Sequence, residues 1–269
     1  MRIRIRHETR YDYDREVSFS SQLLRLTPLD HTGQRVVRWR VTTDGDRALA
    51  RSDDGYGNVI HMAATSRAHS GASAIAEGEV ETSDTSGVVH GALERLIPLY
   101  FLRGTPVTTP DSALAKLAAE MARRNDELER MHELMLEIRE RVDYELGATA
   151  ADTTAAEAFA KGRGVCQDHT HIFLAAARAT GVPARYVSGY LAPLSGQATS
   201  DASHAWAEAY IPDLGWVGFD IANRICPTET YVRVAIGLDA LEAAPVRGVR
   251  RGGVEETLRV ILEVRQEQQ

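Results

Sequence analysis

A short apolar helix in the second half of the chain constrains its fold more than any other feature. Residues 166–180 predict a helix, because Gly181 stands where a left-handed cap belongs and Pro183 cannot continue the helix. The stretch 172–177 carries no charge, as a helix surrounded by other elements requires. The sequence therefore predicts a buried helix that fixes Cys166, its first residue, on a rigid element.

Before residue 103 the chain predicts a β-rich module. Several stretches alternate apolar and polar residues or favour strands by composition, and turn-forming Gly and Asn separate two of them. These stretches are 2–7, 35–42, 59–64 and 74–82. We expect a β-sandwich-like domain over residues 1–102, followed by a second domain over residues 103–269.

The second domain predicts helices first and strands afterwards, which indicates an α+β fold. Helices are expected at 110–125, 126–144 and 155–160, before the helix that Cys166 opens. The second of these has an apolar stripe of Met131, Leu134, Ile138 and Val142. Strands are expected at 185–191, 203–211 and 216–220, with a loop at 195–201 and a final alternating strand at 258–264 that rejoins a sheet.

Composition excludes several classes of protein. With 269 residues, 43% hydrophobic and 26% charged, the chain has the make-up of a soluble globular protein of one or two domains. A formal charge of −7 argues against nucleic acid as a partner, and no stretch reaches the roughly 18 apolar residues that span a membrane. The N-terminus alternates Arg and Ile without an apolar signal region, and the chain has two cysteines. We therefore expect a cytoplasmic protein with free thiols and no membrane partner.

Cys166 has the sequence surroundings of a nucleophile. It follows a glycine-containing turn and begins a helix, where unsatisfied N–H groups and the helix dipole favour a thiolate. The same N–H groups can hold the oxyanion of a tetrahedral intermediate. His204 begins an alternating strand and Asp220 ends the next strand across a short turn, so strand pairing brings the two together. The order predicts a nucleophile, a base and a carboxylate that orients the base.

Several segments resemble the transglutaminase-like superfamily. Gly164-Val165-Cys166-Gln167-Asp168 is similar to its nucleophile segment, and residues 181–190 are similar to the helix-to-strand segment that follows. Residues 203–208 and 215–220 resemble the segments that carry the family's His and Asp. Residues 25–28 and 54–58 are similar to the β-rich module that precedes the core in bacterial members.

The resemblance implies a papain-like transglutaminase core with Cys166, His204 and Asp220 as a catalytic triad. It also implies acyl transfer on a peptide or protein amide through a thioester, with no cofactor. Bacterial relatives are regarded as amidases or peptidases as often as transferases. One departure is Ile221-Ala222-Asn223, where many relatives have Pro-Thr-Asn after the Asp. We expect this change to alter the local turn and not the triad.

Neighbouring residues allow other interpretations. Cys166, Asp168, His169 and His171 lie close in sequence, but they do not converge on one face of a helix and no metal motif supports them, so no metal site is expected. Asp168 is expected to bond the backbone beside the nucleophile. Asn223 is the alternative to Asp220 as the orienting group.

Other residues near the three motifs are candidates for the substrate cleft or its support. They are Gln167, Tyr190, Trp206, Glu208 and Trp216. Aromatic core residues have the same pattern, and Glu208 is expected to pair with an arginine such as Arg185. Cys226 is expected to be a packed thiol without a base.

Hydrolysis of an amide or peptide bond is the expected reaction, because water is always present. The alternatives are transamidation by the same triad and a non-catalytic binding module on this fold. No acidic spacing of a calcium loop is present in the sequence. The sequence assigns neither the substrate nor the oligomeric state.

Overall fold

The computed structural model describes residues 1–44, 47–193 and 203–267. The loop expected at 195–201 lies outside the described residues. The helices are α1 (Ser112–Met121), α2 (Glu127–Arg141), α3 (Ala155–Lys161) and α4 (Cys166–Ala179). The strands are β1 (Arg2–Thr27), β2 (Gln34–Thr43), β3 (Arg47–Ala48), β4 (Arg51–Asp53), β5 (Val59–Thr65), β6 (His69–Thr82), β7 (Val88–Val89), β8 (Asp143–Tyr144), β9 (Arg163–Gly164), β10 (Ala184–Leu191), β11 (Ser203–Ile211), β12 (Gly215–Phe219), β13 (Tyr231–Gly237), β14 (Val246–Gly252) and β15 (Glu256–Glu267).

The larger sheet is organised around β1, a strand of 26 residues. Its order is β3-β2-β6-β1-β5-β4, and β14 and β15 also pair with β1. Along residues 2–12, β1 therefore has β6 on one side and β15 on the other. The strand expected at 2–7 continues much further than its sequence predicts, because pairing on both sides stabilises a strand through charged residues that disfavour one.

The second sheet carries the core, in the order β13-β10-β11-β12-β7. Helix α4 packs on one face of this sheet, where its apolar residues meet the small side chains of Ala205, Ala207 and Ala209 on β11. Almost every residue of α4 is buried, which confirms the helix predicted from the uncharged stretch. The short β8 and β9 pair in parallel and connect the end of α2 to the turn before Cys166.

Local sequence signals predicted the positions of α2 and α3 closely. Asp126 caps α2 by accepting a hydrogen bond from Glu129 N at 2.8 Å, and the predicted stripe of Met131, Leu134, Ile138 and Val142 is fully buried. Gly162, which ends α3, has a φ of 69° and so takes the left-handed conformation that favours glycine. None of the described helices is long and apolar enough to cross a membrane.

Residues 1–102 do not form a sandwich by themselves, and that expectation is corrected. The six strands β1 to β6 lie in one sheet. The layer that covers it is the core sheet: Ile3, Ile5 and Val80 pack against Tyr190 and Val232. The larger sheet also takes β14 and β15 from the C-terminal end, while β7 joins the core sheet. Each sheet thus contains strands from both sides of residue 102.

Polar side chains join the two sheets across this interface. Gln34 donates to Arg233 O at 2.9 Å and accepts from Arg233 N at 2.8 Å. Asn58 makes the same pair of contacts with Ile236, at 2.8 Å each. Both partners lie on β13, so the larger sheet fixes the position of that strand through its backbone.

Candidate active site

Cys166 is held at the start of α4 by a tightly packed turn. A β-carbon at position 164 would lie 2.7 Å from Oδ2 of Asp168, so this close approach requires Gly164. The same carboxylate oxygen accepts hydrogen bonds from Val165 N at 2.8 Å and from Thr149 Oγ1 at 2.7 Å. Asp168 therefore ties the turn to the helix. The N–H groups of the first helical turn remain without an earlier carbonyl to accept them.

The imidazole of His204 is fixed by a buried carboxylate. Nε2 of His204 and Oδ2 of Asp220 are 2.6 Å apart. Oδ2 also accepts hydrogen bonds from the Tyr231 hydroxyl at 2.6 Å and from the Asn223 amide at 2.7 Å. His204 lies near the start of β11 and Asp220 directly follows β12, and the antiparallel pairing of these strands brings the two side chains together.

The second nitrogen of the imidazole is available to the Cys166 thiol. Because Nε2 is bonded to Asp220, Nδ1 is the nitrogen left for the Cys166 side chain, which also acts on the pKa of the ring. Burial disfavours the charged ring, but the hydrogen bonds and charges of Asp220 and Cys166 outweigh it and raise the pKa of His204 to about 10. A protonated ring is therefore favoured beside the Asp220 carboxylate.

The pKa of Asp220 moves in the opposite direction. Burial alone would raise it, but the hydrogen bond and charge of His204, followed by the hydrogen bonds of Tyr231 and Asn223, lower it below its usual value. Asp220 thus stays ionised in the interior. Its three donors leave it little freedom to turn away from His204.

Asn223 does not replace Asp220 as the orienting group. Its amide nitrogen is 3.4 Å from Nε2 of His204, against 2.6 Å for the Asp220 oxygen. Instead it supports Asp220, which also accepts from Asn223 N at 3.2 Å. The Ile221-Ala222-Asn223 segment forms a turn that closes by pairing Asp220 with Ile225.

The aromatic residues expected at the cleft are buried. Tyr190 lies between the two sheets, where its hydroxyl is 2.9 Å from Nδ1 of His7. Trp216 lies under the guanidinium of Arg185, 3.8 Å from its carbon. Trp206 alone of the three contacts the triad, with its ring stacked 6.4 Å from the centroid of His204. None of them forms the wall of an open cleft, because both faces of β11 are covered.

Glu208 shares the strand face of His204 but belongs to a different cluster. Its Oε2 accepts from Nε of Arg185 at 2.7 Å, and its Oε1 accepts from Nε of Arg233 at 2.8 Å. Burial would raise the pKa of Glu208, but the two arginines outweigh it and lower the pKa to about 2. The carboxylate is a structural ion-pair partner here.

The remaining residues near Cys166 are engaged by the backbone. Gln167 donates its amide to Ala151 O at 3.0 Å. The ring nitrogens of His169 lie 2.8 Å and 2.9 Å from two carbonyl oxygens, and His171 accepts from Ala240 N at 3.1 Å. Over residues 1–44, 47–193 and 203–267, no group of three His, Cys, Asp or Glu side chains is placed to hold a metal ion.

Sequence reasoning missed the supporting residues Tyr231 and Thr149. Tyr231 opens β13, eleven residues after Asp220, and no motif connects the two. Thr149 reaches Asp168 from an irregular segment. The apolar run of β13 indicates a buried strand once it is considered, but it gives no register and so no contact.

Two family models match this chain. The model described as the transglutaminase-like superfamily matches residues 115–221, and that of the bacterial transglutaminase-like N-terminal region matches residues 3–81. An uncharacterized protein of Mycobacterium tuberculosis (strain H37Rv) is 30% identical over 275 residues, which covers 92% of this chain and 87% of that protein. The chain belongs to the transglutaminase-like superfamily.

Other relatives extend the likeness over nearly the whole chain. An uncharacterized protein of Mycobacterium leprae is 29% identical and is matched over 98% of each chain. The crystal structure of a candidate cysteine protease from Cytophaga hutchinsonii superposes with a TM-score of 0.74 at 21% identity, covering 98% of this chain and 97% of that one. This transglutaminase-like chain therefore has the same fold, including the N-terminal β-rich region. Cys166, His204 and Asp220 all lie within the matched core, whereas β13 to β15 lie beyond it.

Proposed function

We propose that this protein is a cysteine hydrolase that cleaves amide bonds of peptides or proteins. The Cys166 thiolate attacks the carbonyl carbon, and the N–H groups of the first turn of α4 hold the oxyanion. The His204 imidazolium gives its proton to the leaving amine, and a thioester remains on Cys166. The neutral His204 then takes a proton from water as the water oxygen attacks the thioester. The acid leaves, and the thiolate and imidazolium are restored.

One observation carries this proposal: the His204 ring lies between the Cys166 thiol and the buried Asp220 carboxylate. The hydrogen bond of 2.6 Å to Asp220 fixes the ring orientation and leaves its second nitrogen for the thiol. A raised His204 pKa supplies a proton that is held ready for the leaving amine. A structural histidine needs neither arrangement.

Water is the proposed acceptor because it requires no second binding site. An amine such as a lysine side chain would take the acyl group from the same thioester, and the product then is an exchanged amide. The two reactions diverge only after the thioester has formed, so a single assay with and without added amine distinguishes them.

The test compares the two thiols of the chain. Wild type, Cys166→Ser and Cys226→Ser are treated with iodoacetamide between about pH 5 and pH 9, and the adducts are counted by intact mass. The same proteins are incubated with a pool of internally quenched peptides, with and without an added alkyl amine. Burial raises the pKa of the Cys226 thiol, so this thiol is the matched control.

We expect wild type and Cys226→Ser to form one iodoacetamide adduct rapidly. Cys166→Ser should form no adduct at that rate. Peptide cleavage should follow the same pattern. If Cys166 labels no faster than an ordinary thiol and no peptide is cleaved, the proposal is wrong and the fold serves binding alone.

A further inference from the structure

Strand β15 forms a long edge of the larger sheet. Its pairing with β1 is continuous, from Arg2 opposite Glu267 to Tyr13 opposite Glu256. In the part of the chain that the structure describes, no strand pairs with its other edge. An edge of 12 residues presents a row of unpaired N–H and C=O groups, and natural proteins usually shorten or cover such edges.

The same strand exposes apolar side chains on both faces. Leu258 is 53% exposed and Val260 48%, although Leu262 and Val264 on the same face are buried. Ile261, on the opposite face, is 51% exposed. An edge strand that is both unpaired and apolar over its middle has the features of a pairing surface.

The order of residues along β15 is complementary to itself. If two copies of the strand run antiparallel about an axis at Ile261, then Ile261 meets its own counterpart. Leu258 then faces Val264 and Val260 faces Leu262, so the apolar residues are matched on each side. Arg259 faces Glu263 of the second copy, and the symmetry makes this ion pair twice.

The monomer itself leaves the charge of Arg259 unmatched. In the sheet, Arg259 lies directly opposite Arg10 of β1, and like charges at that position are unfavourable. Arg10 bonds instead to Asp12, at 3.2 Å. No ion pair of Arg259 is recorded with any residue of 1–44, 47–193 or 203–267. Glu263 has a side chain that is 49% exposed, and its contact with Arg265 is 3.4 Å.

We infer that β15 is a dimer interface in which it pairs antiparallel with β15 of a second copy, centred on Ile261. The two larger sheets become one continuous sheet across the axis. A second copy is the occupant that fits, because it supplies both the apolar residues and the carboxylate that Arg259 lacks. The interface is independent of the proposed hydrolysis.

Charge reversal tests this register. The association of wild type, Arg259→Glu, Ile261→Lys and the double variant Arg259→Glu/Glu263→Arg is measured by sedimentation velocity over a range of concentrations. We expect wild type to reach about twice the 29.6 kDa chain mass. Arg259→Glu should raise the dimer Kd about tenfold, since two symmetry-related pairs become repulsive. Ile261→Lys should weaken it at least as much, and the double variant should restore it.

Arg259→Glu also separates association from folding. Within one chain it places Glu opposite Arg10, so the melting temperature of the monomer should stay the same or rise. Ile97→Lys, at a position that is 69% exposed and outside the strand, is the matched control for Ile261→Lys and should not change the Kd. A wild type that stays monomeric at every concentration, or a dimer that Arg259→Glu and Ile261→Lys leave intact, would overturn the inference.

Discussion

His204 and Glu208 lie four residues apart on the same strand and the same face, yet their surroundings give them opposite roles. Glu208 is enclosed by two guanidinium groups that bond both of its oxygens. His204 is bonded on one nitrogen by Asp220, and the Cys166 side chain also acts on its pKa. Both sites hold buried charge, but only the site of His204 includes a thiol, the group that acts as nucleophile in the proposed function.

The two sites differ in the partners that set the pKa of the central group. In the cluster of Arg185, Glu208 and Arg233, Glu94 supplies a second carboxylate to Arg185, so each charge has an opposite partner, and the pKa of Glu208 falls to about 2. It cannot exchange a proton near neutral pH. The pKa of His204 is raised to about 10 by Asp220 and by Cys166, the proposed nucleophile, so in the proposed mechanism a move of its proton changes the state of Cys166.

Removal of the imidazole should give the largest effect on activity. For His204→Ala we expect kcat/KM for peptide cleavage to fall about 10⁴-fold or more, because both the proton donor and the base are lost. The fold should remain, since the ring is replaced at the rim of the core and Asp220 keeps Tyr231 and Asn223. Hydrolysis rates and thermal unfolding of the purified variant measure both. Full activity in His204→Ala would contradict the proposed mechanism.

Glu208→Gln should lower the stability of the fold and leave the reactivity of Cys166 almost unchanged. Arg185 keeps its ion pair with Glu94, but Arg233 loses the carboxylate that lies 2.8 Å from it, and breaking a buried pair in this way costs about 3–5 kcal/mol of unfolding free energy. Urea unfolding measures the loss, and the rate of Cys166 labelling in the folded protein should change little.

Glu77→Gln is the control for Glu208→Gln. Glu77 also contacts two arginines, Arg6 at 3.2 Å and Arg40 at 2.5 Å, but on the exposed face of the larger sheet. Its loss should cost no more than about 1 kcal/mol. Equal costs for the two variants would show that burial does not distinguish these clusters.

The sequence was sufficient for those features that local signals determine. Caps, apolar stripes and glycine positions place α2, α3 and α4, and the order of Cys166, His204 and Asp220 gives the candidate triad. Antiparallel pairing of the neighbouring strands β11 and β12 then brings His204 close to Asp220. The helix positions depend on residues that are close in sequence, whereas the candidate triad rests on the order of three motifs and on their resemblance to the family.

What the sequence did not give depends on contacts across the whole chain. The pairing of Arg2 with Glu267 joins the two ends, and no local pattern specifies that β15 chooses β1. The alternation of β11 predicts one buried face and one face toward a cleft, but the aromatic cluster that joins Trp206 to Phe101, Trp216 and Tyr231 covers the second face. Burial of Trp206 and Glu208 follows from that packing and not from their own sequence.

Tyr231→Phe should give the smallest effect, and it tests how far the support of Asp220 matters. The hydroxyl donates to Asp220 Oδ2 at 2.6 Å, and burial together with Asp220 raises the pKa of Tyr231, so it stays a neutral donor. We expect kcat to fall about tenfold with KM unchanged, because a hydrogen bond to a charged group contributes about 1.5–3 kcal/mol and part of it orients His204.

Tyr190→Phe is the matched control for Tyr231→Phe, since it removes an equally buried hydroxyl that bonds His7 and not the triad. It should lower stability and leave kcat unchanged. The two variants should also differ with pH. The Asp220 pKa is lowered in the folded protein, so its contribution to stability is present above pH 3.8 and lost as the pH falls through the folded value. Tyr231→Phe weakens that contribution, so its deficit in stability relative to wild type should shrink below about pH 3.8. A deficit that is independent of pH, with kcat unchanged, would make Tyr231 a packing residue and leave Asn223 as the support of Asp220.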